Sequence, residues 1–224
     1  MTVEPGAALH DYADTTRIGA TWAAIAIHGG GIEGGSGEMA REISRGGSAM
    51  AYYEFAGLKS SNNVSLHITS TNFDEPMGRT LVAGVRRCLS FHGCVGTDGV
   101  PETAIGGLDT ELVGRLTDSL TRAGFLVNTA PSEIAGTDPA NICNRTASNA
   151  GVQLEMSRAL RNAFFPGGRN TRAVRDSGAR TDDFYRYASA VRSAVPRAGP
   201  GVPGQRRDPG RSGHPATAAL PSPG

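Results

Sequence analysis

Apolar residues occur along this chain in short runs that end at glycines or polar residues, and segments with helical spacing separate the runs. The run WAAIAI at residues 22–27 ends at a histidine and a glycine cluster, which is typical of a buried β-strand. Other runs are rich in β-branched and aromatic residues and also predict strands. These predicted strands are MAYYEFAG (50–57), VSLHITS (64–70), CLSFHG (88–93), FLVNT (125–129) and GVQLEMS (151–157).

Helical periodicity separates these strands. Leu112, Leu116 and Leu120 recur at intervals of four between Asp109, a favoured N-cap residue, and Gly124, and this pattern predicts a helix. Further helices are predicted at 36–47, from about Pro76 onward, and at 184–195. Because the strands are apolar runs rather than strict alternations, both of their faces should be covered. We therefore predict an α/β fold: a single domain with a mixed, mostly parallel central sheet flanked by helices.

Composition divides the 224 residues into two parts. Residues 197–224 are dominated by proline, glycine and arginine and show no apolar period, so we predict a disordered tail. The folded domain is then expected at residues 1–196.

The formal net charge of +1 indicates neither a nucleic-acid partner nor a membrane surface. Three cysteines without a C-x-x-C spacing favour reduced thiols over a disulfide framework. The first residues lack the basic and apolar regions of a signal peptide, and no run is long enough to span a bilayer. We therefore expect a soluble, monomeric, cytoplasmic protein, which lysis could also release.

Candidate chemistry lies at the ends of the predicted strands, where open α/β sheets bind ligands. His28 and His92 each end a strand, and Glu33 follows His28 on a glycine-rich loop. Two histidines and one carboxylate form a three-ligand zinc set that leaves a fourth position for water. Glu155, on the last predicted strand, is then the candidate general base. The five-residue spacing of His28 and Glu33 requires a sharp turn, which the intervening glycines permit.

Other interpretations of the same residues stay open. A histidine at a strand end can be a polar group with ordinary hydrogen bonds, and a glycine run can be a plain turn. The loop could also hold an anion at the start of a helix, as in a non-catalytic anion-binding protein. The HGGG stretch at residues 28–31 also resembles an esterase oxyanion loop, but the chain contains no G-x-S-x-G nucleophile elbow.

Six stretches in order carry a family resemblance: HGGGIEGGSGE, LHITSTNFDEP with its preceding FAG, SFHG, IGGLD, NICNR and GVQLEMS. Together they resemble the poly-γ-glutamate hydrolases, phage-related zinc peptidases with a zinc-carboxypeptidase-like fold. The resemblance covers residues 21–165 and implies zinc held by His28, Glu33 and His92, with Glu155 as the general base. It also implies that Arg145, helped by Asn144, grips a carboxylate of the substrate.

The function implied by the resemblance is hydrolysis of the amide bonds of poly-γ-glutamate. A zinc amidohydrolase of the same fold that acts on another acidic acyl-amino acid or peptide is the alternative. One position departs from the family pattern, because Asn72 stands where the family usually has a histidine. His67 lies five residues earlier, and we expect a structural role for it.

Overall fold

The computed structural model of the protein describes residues 9–14, 20–45 and 50–195. The predicted disordered tail, residues 197–224, lies outside the described residues, as does the domain boundary expected at residue 196. Strands of the central sheet are β1 (Leu9–Asp14), β2 (Trp22–Gly30), β3 (Met50–Gly57), β4 (Arg87–Gly93), β5 (Glu102–Gly107), β6 (Leu126–Thr129) and β7 (Val152–Met156).

The seven strands form one sheet in the order β1-β3-β2-β4-β7-β5-β6. Four of the six strand pairings are parallel, and they include the central run β3-β2-β4-β7. The antiparallel pairings are β1 with β3 and β5 with β7. This topology confirms the predicted mixed, mostly parallel sheet.

Six helices flank the sheet within the described residues. They are α1 (Ser36–Arg45), α2 (Pro76–Ala83), α3 (Thr110–Arg122), α4 (Arg158–Ala163), α5 (Arg172–Asp176) and α6 (Asp182–Ala194). The sequence predicted α1, α2, α3 and α6. In α3 the Asp109 carboxylate caps the N-terminus by accepting from the Leu112 N–H, and Gly124 follows the helix at a φ of +84°. No helix in the described residues is both long and apolar enough to cross a membrane.

Helices cover both faces of the sheet, as the apolar runs predicted. Side chains of β2 alternate between two hydrophobic clusters, with Ala24 and Ala26 in one and Ile25 and Ile27 in the other. The first cluster includes residues of α1, α3 and α6, and the second includes residues of α2. The central strands are therefore buried on both sides, and only their ends can meet a ligand.

The strand predicted at residues 64–70 was wrong. A 3-10 helix, Asn63–Leu66, occupies its first part, and irregular backbone follows. Asn62 adopts a left-handed conformation at the start of this turn, and Val64 is 67% exposed. Ile68 is also exposed, so the segment lacks the buried face that would hold a strand against the sheet.

Two strands and two helices have no recognisable pattern in the sequence and were not predicted. Strand β1 lies in a polar N-terminal segment, and β5 ends in a pair of glycines, so neither forms an apolar run. Helices α4 and α5 have six and five residues, too few to establish a helical period.

Candidate metal centre

Two neighbouring parallel strands carry the two candidate histidines to the same edge of the sheet. His28 lies near the carboxyl end of β2, and His92 lies near the carboxyl end of β4. Pairing between β2 and β3 shifts register between Ala26 and Gly29, so His28 sits within an irregularity of the ladder. Such irregularities re-aim a side chain next to a site. Glu33 approaches from the loop that joins β2 to α1.

The side chains of His28, Glu33 and His92 converge. The His28 Nδ1 atom lies 3.0 Å from the His92 Nδ1 atom and 3.0 Å from Glu33 Oε1. The other carboxylate oxygen of Glu33 is 3.6 Å from the His92 Nδ1 atom. One ligand atom from each residue lies within 4.8 Å of the others, a grouping that could hold a metal ion.

Hydrogen bonds on the far side of each ring orient the two histidines. The His28 Nε2 atom lies 2.8 Å from the Ile68 carbonyl oxygen, and the His92 Nε2 atom lies 2.9 Å from the Ser90 hydroxyl. Because a carbonyl can only accept, the proton of neutral His28 belongs on Nε2, and the Nδ1 lone pair points inward. A ligating histidine commonly uses its other ring nitrogen in this way.

Electrostatics at the cluster favour a cation. Burial would raise the pKa of Glu33, but the three neighbouring histidines outweigh it and hold that pKa well below its usual range. Burial and the charge of His92 together lower the pKa of His28 by more than Glu33 and the Ile68 carbonyl raise it, so His28 favours its neutral form. An inward lone pair beside an ionised carboxylate is the donor set that a divalent metal requires.

Glycines allow the loop between His28 and Glu33 to close tightly over the end of β3. Gly30 adopts a φ of +62°, and its N–H donates to the buried carboxylate of Glu54. The Glu54 side chain also fills the space beside Gly29 and Gly37, where added Cβ atoms would lie 2.3 Å and 2.0 Å from its Oε1 atom. The glycines therefore admit a buried carboxylate that anchors the loop.

We expect Gly37→Ala to lower the free energy of unfolding by about 1–3 kcal/mol, because the new methyl group overpacks Glu54. Gly114→Ala is the matched control, since Gly114 is an exposed residue of α3 with open space beside it. That control should stabilise the protein by about 0.5–1 kcal/mol through helix propensity. Urea denaturation of both variants measures the difference. Equal effects of the two substitutions would contradict the close packing at Gly37.

Glu155 lies beside this cluster on the adjacent strand. It is directly paired with His92 across β4 and β7, so both side chains leave the same face of the sheet. The carboxylate is buried and accepts a hydrogen bond of 2.8 Å from the Gln153 amide. Burial raises the pKa of Glu155, and the charge of Glu33 adds to this effect. The structure thus places the predicted general base next to the predicted ligands.

The two residues implied to bind substrate are engaged within the protein. The Arg145 guanidinium donates to the carbonyls of Thr71, Phe73 and Ala140 over 2.8–3.2 Å. The buried amide of Asn144 donates to two further carbonyls, and its oxygen accepts from the Gly151 N–H. Both side chains brace the segment before β7. A contact between Asn144 and a substrate would require breaking these bonds.

Two further residues, which no sequence pattern assigned to the site, lie against the cluster. His67 follows the 3-10 helix, and its ring stacks on His28 with a centroid distance of 3.8 Å. Its Nε2 atom lies 3.4 Å from Glu33 Oε1. His67, for which we expected a structural role, therefore lies directly against the cluster. Arg161, in α4, donates to backbone carbonyls around the cluster. His67 belongs to the LHITS stretch, which could have indicated its place at the site. Arg161 belongs to no motif that could have done so.

The fold and the cluster define an α/β protein with a candidate metal site at the carboxyl ends of parallel strands. The family model of poly-gamma-glutamate hydrolase matches residues 7–190, and the chain belongs to this family. The family match confirms the resemblance found in the sequence.

Similar proteins agree with this assignment. The SPbeta prophage-derived protein YoqZ of Bacillus subtilis is 38% identical over 79% of this chain, which spans 62% of the length of YoqZ. The structure of a bacteriophage poly-gamma-glutamate hydrolase gives a TM-score of 0.79 at 37% identity and covers 87% of this chain and 90% of that one. A zinc-free apo structure of YndL gives a TM-score of 0.74 at 33% identity. The match covers 84% of this chain and 89% of the YndL chain.

Proposed function

We propose that this protein is a zinc-dependent hydrolase of the amide bonds in poly-γ-glutamate. The observation that carries the proposal is the convergence of two histidine nitrogens and an ionised glutamate at the carboxyl ends of β2 and β4. Membership of the poly-gamma-glutamate hydrolase family supports the substrate, and the zinc-free state of the YndL structure supports the metal.

His28, Glu33 and His92 would hold the zinc ion, since two imidazoles and one carboxylate are a common catalytic zinc set. The chemistry that zinc supplies when bound is polarisation of a carbonyl and activation of water. Glu155 would accept a proton from the attacking water as the new C–O bond forms. It would then donate that proton to the leaving nitrogen as the C–N bond breaks.

We also propose that Arg145 retains a role toward substrate carboxylates. Its three bonds to carbonyls use three of the five guanidinium N–H groups, which leaves two beyond those bonds. We expect Arg145→Lys to raise KM for poly-γ-glutamate about tenfold, because an ammonium cannot replace two parallel hydrogen bonds. Steady-state kinetics with zinc content in parallel tests this. A fall in Tm at unchanged KM would show that Arg145 stabilises the fold and does not bind the substrate.

The decisive experiment compares γ-linked with α-linked polyglutamate as substrates for the purified protein, before and after removal of zinc by a chelator. Cleavage of the γ-linked polymer alone, lost on chelation and restored by zinc, is the expected result. Equal or preferred cleavage of α-linked peptide would favour the alternative amidohydrolase of another acidic substrate. Binding of the polymer without cleavage, unaffected by the chelator, would favour the anion-binding protein.

A further inference from the structure

The guanidinium of Arg161 lies where three segments of the candidate site come together. Helix α4 begins directly after β7 and carries this side chain back toward the ends of the strands. The Nε–H of Arg161 donates to the Met156 carbonyl at 3.1 Å, and its two terminal nitrogens donate to the carbonyls of Gly34 at 3.0 Å and Cys94 at 3.2 Å.

Each of these carbonyls lies just beyond a residue of the proposed mechanism. Gly34 follows Glu33, Met156 follows Glu155, and Cys94 is two residues after His92. The three segments are far apart in sequence, and one planar group joins them. An arginine suits this task, because its N–H groups have a fixed geometry that a flexible side chain with one polar head lacks.

The surrounding backbone is shaped to admit the guanidinium. A Cβ atom at Gly93 would lie 2.4 Å from the Arg161 Cζ atom, so the guanidinium requires a glycine at this position. The Gly93 N–H in turn donates to Glu33 Oε2 at 2.8 Å. The same glycine therefore contacts Arg161 through its Cα face and a proposed zinc ligand through its amide.

We infer that Arg161 is a positioning residue that holds the segments of Glu33, His92 and Glu155 in the geometry needed for metal binding and turnover. It acts through backbone carbonyls. The expected effect of Arg161 on zinc binding rests on the proposed function, whereas its expected effect on the order of the backbone does not.

The first test measures amide hydrogen exchange in the metal-free protein. Arg161→Lys keeps the positive charge but offers one donor group in place of three separated ones. We expect exchange in residues 28–36 and 91–95 to accelerate about tenfold or more, while α3 keeps its protection. Unchanged exchange in both segments would overturn the inference, whatever the protein does with zinc.

The second test measures the zinc dissociation constant by competition with a chromogenic chelator, together with kcat and KM. Loss of a residue that supports ligands typically weakens metal binding about 10- to 100-fold, and we expect this range for Arg161→Lys. We expect kcat to fall by a similar factor with KM changed less than about threefold. Wild-type zinc affinity and kcat in Arg161→Lys would overturn the inference. Absence of zinc binding in the wild type would instead overturn the proposed function.

Two further variants separate geometry from charge and from general stability. Arg161→Met removes the charge as well, so a loss confined to Arg161→Met, with Arg161→Lys at wild-type affinity, would assign the effect to charge and contradict positioning. Arg192→Lys is the control for zinc affinity, since Arg192 in α6 donates to the carbonyl and the carboxylate of Glu42 in α1, and neither residue is a proposed ligand. It should leave zinc affinity and kcat near the wild-type values. An equal loss of zinc affinity in Arg192→Lys would show a nonspecific effect and overturn the role of Arg161.

Discussion

Replacing His28 with alanine is expected to reduce the zinc content of the purified protein from about one ion per chain to almost none. The His28 Nδ1 atom lies 3.0 Å from both of the other proposed ligands, so its loss removes the centre of the set. Two remaining ligands are too few for a catalytic zinc site, which uses three protein ligands. Because a catalytic metal contributes several kcal/mol to the transition state, activity should fall about 10³-fold or more.

His67→Ala is the matched control for this experiment. Its imidazole also contacts Glu33, but the side chain is 42% exposed, whereas that of His28 is 2% exposed. His67 does not belong to the group of side chains that could hold the ion. The control should therefore retain zinc. Elemental analysis measures the zinc content of both variants. Full zinc content in His28→Ala would show that His28 is not a ligand.

Replacing Glu155 with glutamine is expected to leave zinc content unchanged and to lower kcat about 10²- to 10⁴-fold, the usual contribution of a general acid–base residue. The substitution preserves shape within the strand but removes the ability to accept a proton. Glu155 is buried beside His92 and shares no hydrogen bond with the three proposed ligands, so the metal should remain.

Single-turnover kinetics and zinc analysis on the same preparation test this expectation. Glu111→Gln is the control, because the Glu111 side chain is 58% exposed on α3 and pairs with Arg87 and Arg115, which are not residues of the candidate site. It should turn over at the wild-type rate. Normal turnover in Glu155→Gln would exclude Glu155 as the base, and loss of zinc would make it a ligand or a support for one.

Local sequence patterns determined the elements whose stability is itself local. The leucines of α3, with an N-cap aspartate and a glycine after the last turn, specify a helix because neighbours at intervals of four share one face. The apolar run of β2 specifies a buried strand in the same way. The predicted strand at 64–70 was wrong because its apolar residues Val64 and Ile68 lie exposed at the surface, and which apolar residues are buried is decided by the packing of the whole chain.

The candidate zinc ligands were also named from sequence, since histidines and a glutamate at strand ends form a recognisable chemical set. Their meeting was decided by tertiary structure. His28 and His92 are 64 residues apart, and they approach because β2 and β4 are neighbours in the sheet. The carbonyl partners of Arg145 and the three segments joined by Arg161 depend on the same long-range packing. A sequence pattern reports interactions between near neighbours, whereas the order of strands and the partner of a side chain are set by contacts across the whole core.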